Sequence, residues 1–237
     1  MSSLVATCSE KVTASIERAC ERAGRRRDEI RLVAVSKKQP IERINEYIEN
    51  ISGLPILGEN YVQEFDEKRP LLSKPVEAHL IGPLQSNKVK KAIRLFDVIE
   101  SVQSPKILRK ISGELKSGAS DIRTKGLFLQ VNVSEDPQKS GFSQGQLFEL
   151  LASGEADELP LLGLMTITEW YENTEEVRPD FRAMKQLAGA VQERFPNLFR
   201  GGKVRISMGM SADYEIAIEE GADYIRVGTA LFGDRPS

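Results

Sequence analysis

Cysteine, histidine and tryptophan are scarce: the 237-residue chain has two cysteines, one histidine and one tryptophan. Cys8 and Cys20 both lie in the first segment and lack Cys-x-x-Cys spacing, which argues against a disulfide scaffold or a cysteine-rich metal site and for a reduced, intracellular setting. No apolar run approaches the ~18 residues of a membrane span. The beginning of the chain has no apolar signal core, so a cytoplasmic protein without a membrane partner is expected. Charge of one sign is also missing. The formal net charge is −2 with acidic and basic residues mixed, which leaves no electrostatic footprint for nucleic acid. The arginine run at 25–27 is followed at once by Asp28 and Glu29 and reads as a solvated turn after a helix. No linker or low-complexity stretch divides the sequence, so 1–237 is read as one domain.

What is present is a repeating alternation. Short apolar runs occur as LVAVS (32–36), ILGE (56–59), HLIG (79–82), VIES (98–101), LFLQVN (127–132), LLGLMT (161–166), VRISMG (204–209) and YIRVG (224–228). Helical stripes separate them, such as Ile41, Ile44, Tyr47, Ile48 and Ile51, or Val89, Ala92, Ile93 and Phe96. An earlier helix carries Val12, Ile16, Ala19 and Ala23 and closes at Gly24. The stretch 211–220 reads as a helix with Ser211 as N-cap and Gly221 beyond its end. Strands apolar on both faces with helical crossovers indicate a parallel sheet. Eight such units in ~250 residues indicate a closed (β/α)8 TIM barrel with an extra N-terminal helix; an open doubly wound sheet is the alternative.

Barrel sites form at the carboxyl ends of strands. Those ends supply Lys37, Glu59 with Asn60, Gln85 with Asn87, Ser101, Asn132, Thr166, Ser207, and Gly228 with Thr229. The ring is polar but lacks histidine, cysteine and a clear carboxylate pair. His79 falls at the amino-terminal edge of its run and reads as a packing or supporting residue. SMGMS (207–211) and RVGTALFG (226–233) combine small residues with helix starts. Loops after the last two barrel strands recurrently bind phosphate. Opposite such a cradle, a lysine ending the first strand suggests a Schiff base to an aldehyde cofactor. With Val33 and Val35 filling the interior, alternation sends Lys37 inward and Lys38 outward.

At these residues the sequence resembles the pyridoxal-phosphate-binding proteins of the YggS/PROSC type, the pyridoxal 5'-phosphate (PLP) homeostasis proteins. LVAVSK (32–37), GENYVQE (58–64), HLIGPLQSNK (79–88), KSGF (139–142), SMGMSADYEIAIEEG (207–221) and IRVGTALFG (225–233) carry the resemblance. It implies a barrel like the N-terminal domain of alanine racemase, with PLP in internal aldimine linkage to Lys37. It further implies phosphate contacts at Ser207, Gly228 and Thr229, Arg226 beside the pyridine nitrogen and Asn60 near the ring. Lys38 stands where relatives often have threonine.

Three functions compete: a PLP carrier in vitamin B6 homeostasis without turnover, a PLP-dependent amino-acid racemase, and a PLP-free aldolase using Lys37. Racemisation needs an acid/base group on each face of the α-carbon. Racemases of this barrel type take the second group from a further C-terminal domain, and this sequence ends at Ser237. Tyr61, Tyr171 and Tyr214 are the remaining candidates. An arginine at the pyridine nitrogen keeps it unprotonated and weakens the electron sink. The carrier is therefore expected, as a monomer or weak dimer with PLP-dependent apoenzymes as possible partners.

Overall fold

A computed structural model of the protein describes residues 4–134, 140–169 and 171–233. Lys139 of the KSGF motif lies outside them. Eight parallel strands close into a barrel in chain order: β1 (Arg31–Val35), β2 (Ile56–Glu59), β3 (Glu77–Leu80), β4 (Val98–Val102), β5 (Gly126–Gln130), β6 (Leu161–Met165), β7 (Arg205–Ser207) and β8 (Tyr224–Val227). Val33 pairs with Ile56 on one side and Arg226 on the other, which closes the barrel. The expected strands are all there, with no end shifted by more than two residues.

Among the described residues, the helices are α1 (Leu4–Arg22), α2 (Ile41–Asn50), α3 (Val62–Lys68), α4 (Val89–Leu95), α5 (Pro105–Leu115), α6 (Gln144–Ala152), α7 (Arg178–Arg194), α8 (Tyr214–Glu219) and α9 (Thr229–Phe232). The α1 stripe of Val12, Ile16 and Ala19 is buried. Arg25 of the arginine run donates to the carbonyls of Ile218 and Ala222 at 3.1 and 2.6 Å. The run is therefore partly spent on holding the end of α8.

Two apolar layers follow from the alternation of strand side chains. The outer layer lies between strands and helices and takes in Ala34, Leu57, Leu80, Ile99, Leu127 and Leu164. The inner one fills the barrel with Val33, Ile56, Ile81, Val98, Phe128, Met165 and Tyr224, with Val35 packed against it. Val33 and Val35 thus face inward as alternation requires. One expectation is corrected here. Asp213, not Ser211, occupies the N-cap position of α8, and its carboxylate accepts from the Met210 N–H at 2.5 Å. The Ser211 hydroxyl instead accepts from the Gly228 N–H at 3.0 Å, because the glycine-containing turn before α8 faces the β8 end.

Candidate active site

β1 ends in a four-residue turn in which the Gln39 N–H donates to the Ser36 carbonyl at 3.1 Å. Lys38 takes the left-handed conformation there, with φ of 56°, uncommon for a residue with a Cβ. Its N–H donates to the Glu64 carboxylate and its side chain is exposed. Lys37, half-buried, lines a cavity of about 350 Å³ at the carboxyl end of the barrel. Asn60, Ser211, Arg226, Gly228 and Thr229 share this lining, with Val35, Ile81 and Ile167 as its apolar part. Asn60 holds its place because β3 leads into Gly82: a Cβ there would come within 2.5 Å of the Asn60 Cα. A cavity of about 380 Å³ opens at the opposite rim beside Arg69, Asp97 and Arg123. That is the amino-terminal face, where barrels do not place their reacting groups.

Beneath the floor of the Lys37 cavity the barrel interior turns polar. Arg226 is 4% exposed. It donates to the Ser207 Oγ and to the Thr166 carbonyl, each at 2.7 Å. Ser207 in turn donates to Glu100 Oε2 at 2.6 Å. Glu100 Oε1 lies 2.6 Å from His79 Nδ1, and His79 Nε2 lies 3.1 Å from Glu77 Oε1. Burial lowers the pKa of Arg226, opposed by the Glu100 and Asp213 carboxylates.

A second polar cluster borders the β1 and β2 ends. Glu59, fully buried, accepts from Ser36 Oγ at 2.7 Å and from Lys68 Nζ at 3.2 Å, both on Oε1. Its Oε2 is buried without a partner. Burial raises its pKa to about 7, against the opposing pull of Lys68 and Ser36. Lys68 also donates to the Ser36 carbonyl and to Glu64, at 2.8 and 2.6 Å.

Five of the six residues expected at a cofactor site therefore line one cavity: Lys37, Asn60, Arg226, Gly228 and Thr229. Ser207 is not among its lining residues, because its hydroxyl is spent between Arg226 and Glu100. His79 is not at a strand edge either. β3 begins two residues earlier, at Glu77, which places His79 mid-strand and fully buried. Sequence reasoning missed Glu100, although VIES showed a charged residue inside an apolar strand, and such a residue calls for a buried partner. It also missed the contact of Ser211 with Gly228. None of Tyr61, Tyr171 and Tyr214 lines the cavity.

Fold and site together define a (β/α)8 barrel whose lysine, arginine and glycine meet at the strand ends, and residues 11–236 match the family described as "Alanine racemase, N-terminal domain". The relatives are more particular. The pyridoxal phosphate homeostasis protein of Aquifex aeolicus is 38% identical over 95% of this chain and 96% of its own. That of Escherichia coli is 35% identical over 95% and 94%. PipY of Synechococcus elongatus, solved with PLP bound, has a TM-score of 0.75 at 33% identity, covering 92% of this chain and 100% of PipY. The chain belongs to the alanine racemase N-terminal domain family and, within it, to the pyridoxal phosphate homeostasis proteins. Alanine racemase from Acinetobacter baumannii shares the fold, with a TM-score of 0.64 at 16% identity over 62% of its length.

Proposed function

We propose that the protein binds PLP in the Lys37 cavity and serves vitamin B6 homeostasis as a carrier that holds the cofactor and releases it to PLP-dependent apoenzymes. The carrying observation is the convergence on one cavity of an amine, a buried guanidinium and a small-residue strand end. Its volume of about 350 Å³ lies within the usual range for small-molecule sites. The donor set suits PLP group by group. Lys37 offers the amine for the aldehyde and Arg226 offers N–H donors for the pyridine nitrogen. The Gly228 N–H, now capped by Ser211, and the Thr229 hydroxyl suit the phosphate. Asn60 would stand beside the ring from its place in the cavity wall, and Ser207 would act through Arg226 rather than on the phosphate.

When bound, PLP supplies an aldehyde that condenses with amines and a ring that can draw in electrons. The residues of this chain favour the first property over the second. A guanidinium keeps its proton, so Arg226 can donate to the pyridine nitrogen without protonating it. For a second acid/base group the candidates are poorly placed: Tyr61 is 49% exposed, Tyr171 donates to Asp180 at 3.1 Å, and Tyr214 is buried in α8.

The test loads the purified protein with PLP, reduces it with borohydride and maps the labelled peptide. A parallel sample with L-alanine in deuterated water is followed by NMR. The expected result is a pyridoxyl group on Lys37 and an α-proton signal that persists for hours. Label mainly on Lys38, or α-proton loss at many turnovers per minute that Lys37→Ala abolishes, would overturn the reading, the second in favour of a racemase.

A further inference from the structure

The chain Glu77, His79, Glu100, Ser207 and Arg226 crosses the barrel interior from its amino-terminal rim to the cavity. Its hydrogen-bond directions can be worked out from the donors. Arginine has only N–H donors, so Arg226 must donate to the Ser207 oxygen at 2.7 Å. The single Ser207 proton then goes to Glu100 Oε2 at 2.6 Å. Burial pushes the Glu100 pKa up, but His79, the Arg226 charge and this hydrogen bond hold it below the ordinary carboxylate value, so Glu100 accepts as a carboxylate. Its other oxygen takes a proton from His79 Nδ1 at 2.6 Å. At the far end, the Glu77 carboxylate lies 3.4 Å from Lys125 Nζ and 3.8 Å from the Arg31 guanidinium, two cations that favour its ionised form independently of His79. A carboxylate there can only accept, so His79 Nε2, 3.1 Å away, must also carry a proton. Both ring nitrogens are donors, and His79 is an imidazolium.

The charges then alternate: Glu77 negative, His79 positive, Glu100 negative, Arg226 positive. A buried charge is tolerated when each neighbour compensates it. Glu77 has Lys125 and Arg31 beside it at the rim, but a neutral His79 would leave the fully buried Glu100 carboxylate compensated from the Arg226 side alone. Beyond Glu77 and Glu100, Tyr224 on β8 faces the ring with its centroid 5.9 Å away, and Arg31 and Lys125 pair with Glu77 toward the rim. Burial pushes the His79 pKa down, but the hydrogen bonds and charges of Glu100 and Glu77 more than reverse this, so it stands above the ordinary value.

We propose that Glu100 and His79 are positioning residues for Arg226: the doubly protonated ring clamps Glu100, and Glu100, through Ser207, fixes the guanidinium that the cavity presents to a pyridine-type ring. This rests on the PLP reading of the cavity, while the charge state of His79 does not. Arg226 spends two of its donors on the barrel, one on Ser207 and one on Thr166, so its orientation is set before any ligand arrives. That is preorganisation of the binding group by its supporting residues.

His79 is the sole histidine, so ¹⁵N-histidine labelling gives one imidazole signal pair. In PLP-free protein at pH 7.5 both nitrogens should appear protonated. A neutral ring with one unprotonated nitrogen would overturn the proposal. In Glu100→Gln the ring should titrate at or below the usual ~6.5, PLP should bind about tenfold more weakly, and the pH dependence of bound-PLP absorbance should move. Ser207→Ala leaves the His79–Glu100 pair intact. It should keep both nitrogens protonated yet show the same spectral change, which a loss of stability alone would not produce. Wild-type affinity and spectra in both variants would overturn the relay. If wild type itself does not bind PLP, the reading of the cavity fails while the NMR result still decides the charge on His79.

Discussion

Lys37 and Lys38 are neighbours in sequence, yet one lines the cavity and the other is exposed. Val33 and Val35 marked the inward face and gave the right side for each, but the separation itself is completed by the turn after β1, where Lys38 is left-handed with φ of 56°. Ser207 shows what alternation does not reach: its position at the strand end was readable, but its partner Glu100 is 107 residues away. Only the closed barrel brings the two together. The contrast at the β8 end is testable residue by residue. Gly228 lies against β1, and a Cβ added there would sit 3.2 Å from Val35 Cβ. Gly228→Glu would add that crowding and a negative charge where the phosphate is proposed to bind, so PLP affinity should fall by a hundredfold or more, about 3 kcal/mol. Thr229→Ala removes one hydroxyl and should cost about tenfold or less, on the order of 1 kcal/mol. Fluorescence titration with PLP measures both; equal affinities for Gly228→Glu and wild type would remove the phosphate from this loop.

Strands and helices were legible where their apolar periods were long, as in α2 and the eight strand runs, and less so where a cap had another duty. Ser211 has the residue type and spacing of an N-cap, but the turn at 209–211 contributes to the cavity wall, and its hydroxyl goes to Gly228. α6 shows a cap without such competition. The Ser143 Oγ accepts from the Gln146 N–H at 3.2 Å, and the Gln146 side chain accepts from the Ser143 N–H at 3.1 Å, a reciprocal capping box. Ser143→Ala should cost about 1 kcal/mol. In a protein of this size that lowers Tm by roughly 2–4 °C. Ser211→Ala removes no cap of α8 and should leave the helical circular dichroism signal unchanged. A fall in helical signal for folded Ser211→Ala would contradict this assignment of caps, whereas a thermal loss alone is expected from the Gly228 N–H left without its partner.

Across the whole molecule, two carboxylates in different surroundings, Glu77 at the amino-terminal rim and Glu59 buried beside Ser36 and Lys68, set opposing pH dependences, and these could not be read from the sequence, which shows charges but not burial. Glu77 is held ionised down to about pH 2. It stabilises the fold at neutral pH, and that stabilisation is lost as pH falls from about 4.5 toward 2. Glu59 does the reverse. Burial lifts its pKa from 4.5 to about 7, so between those values the folded protein retains a proton that the unfolded chain has released. Unfolding then releases a proton, and stability declines as pH rises through that window. The full shift corresponds to about 3 kcal/mol, an upper value because Lys68 can adjust around the carboxylate. Glu59→Gln is neutral throughout, keeps an acceptor for Ser36 and Lys68, and leaves Lys68 paired with Glu64. Urea unfolding at pH 5 and pH 8 separates the two proteins. Wild type should lose stability relative to Glu59→Gln between those pH values, whereas parallel profiles would show that Glu59 is already ionised at pH 5.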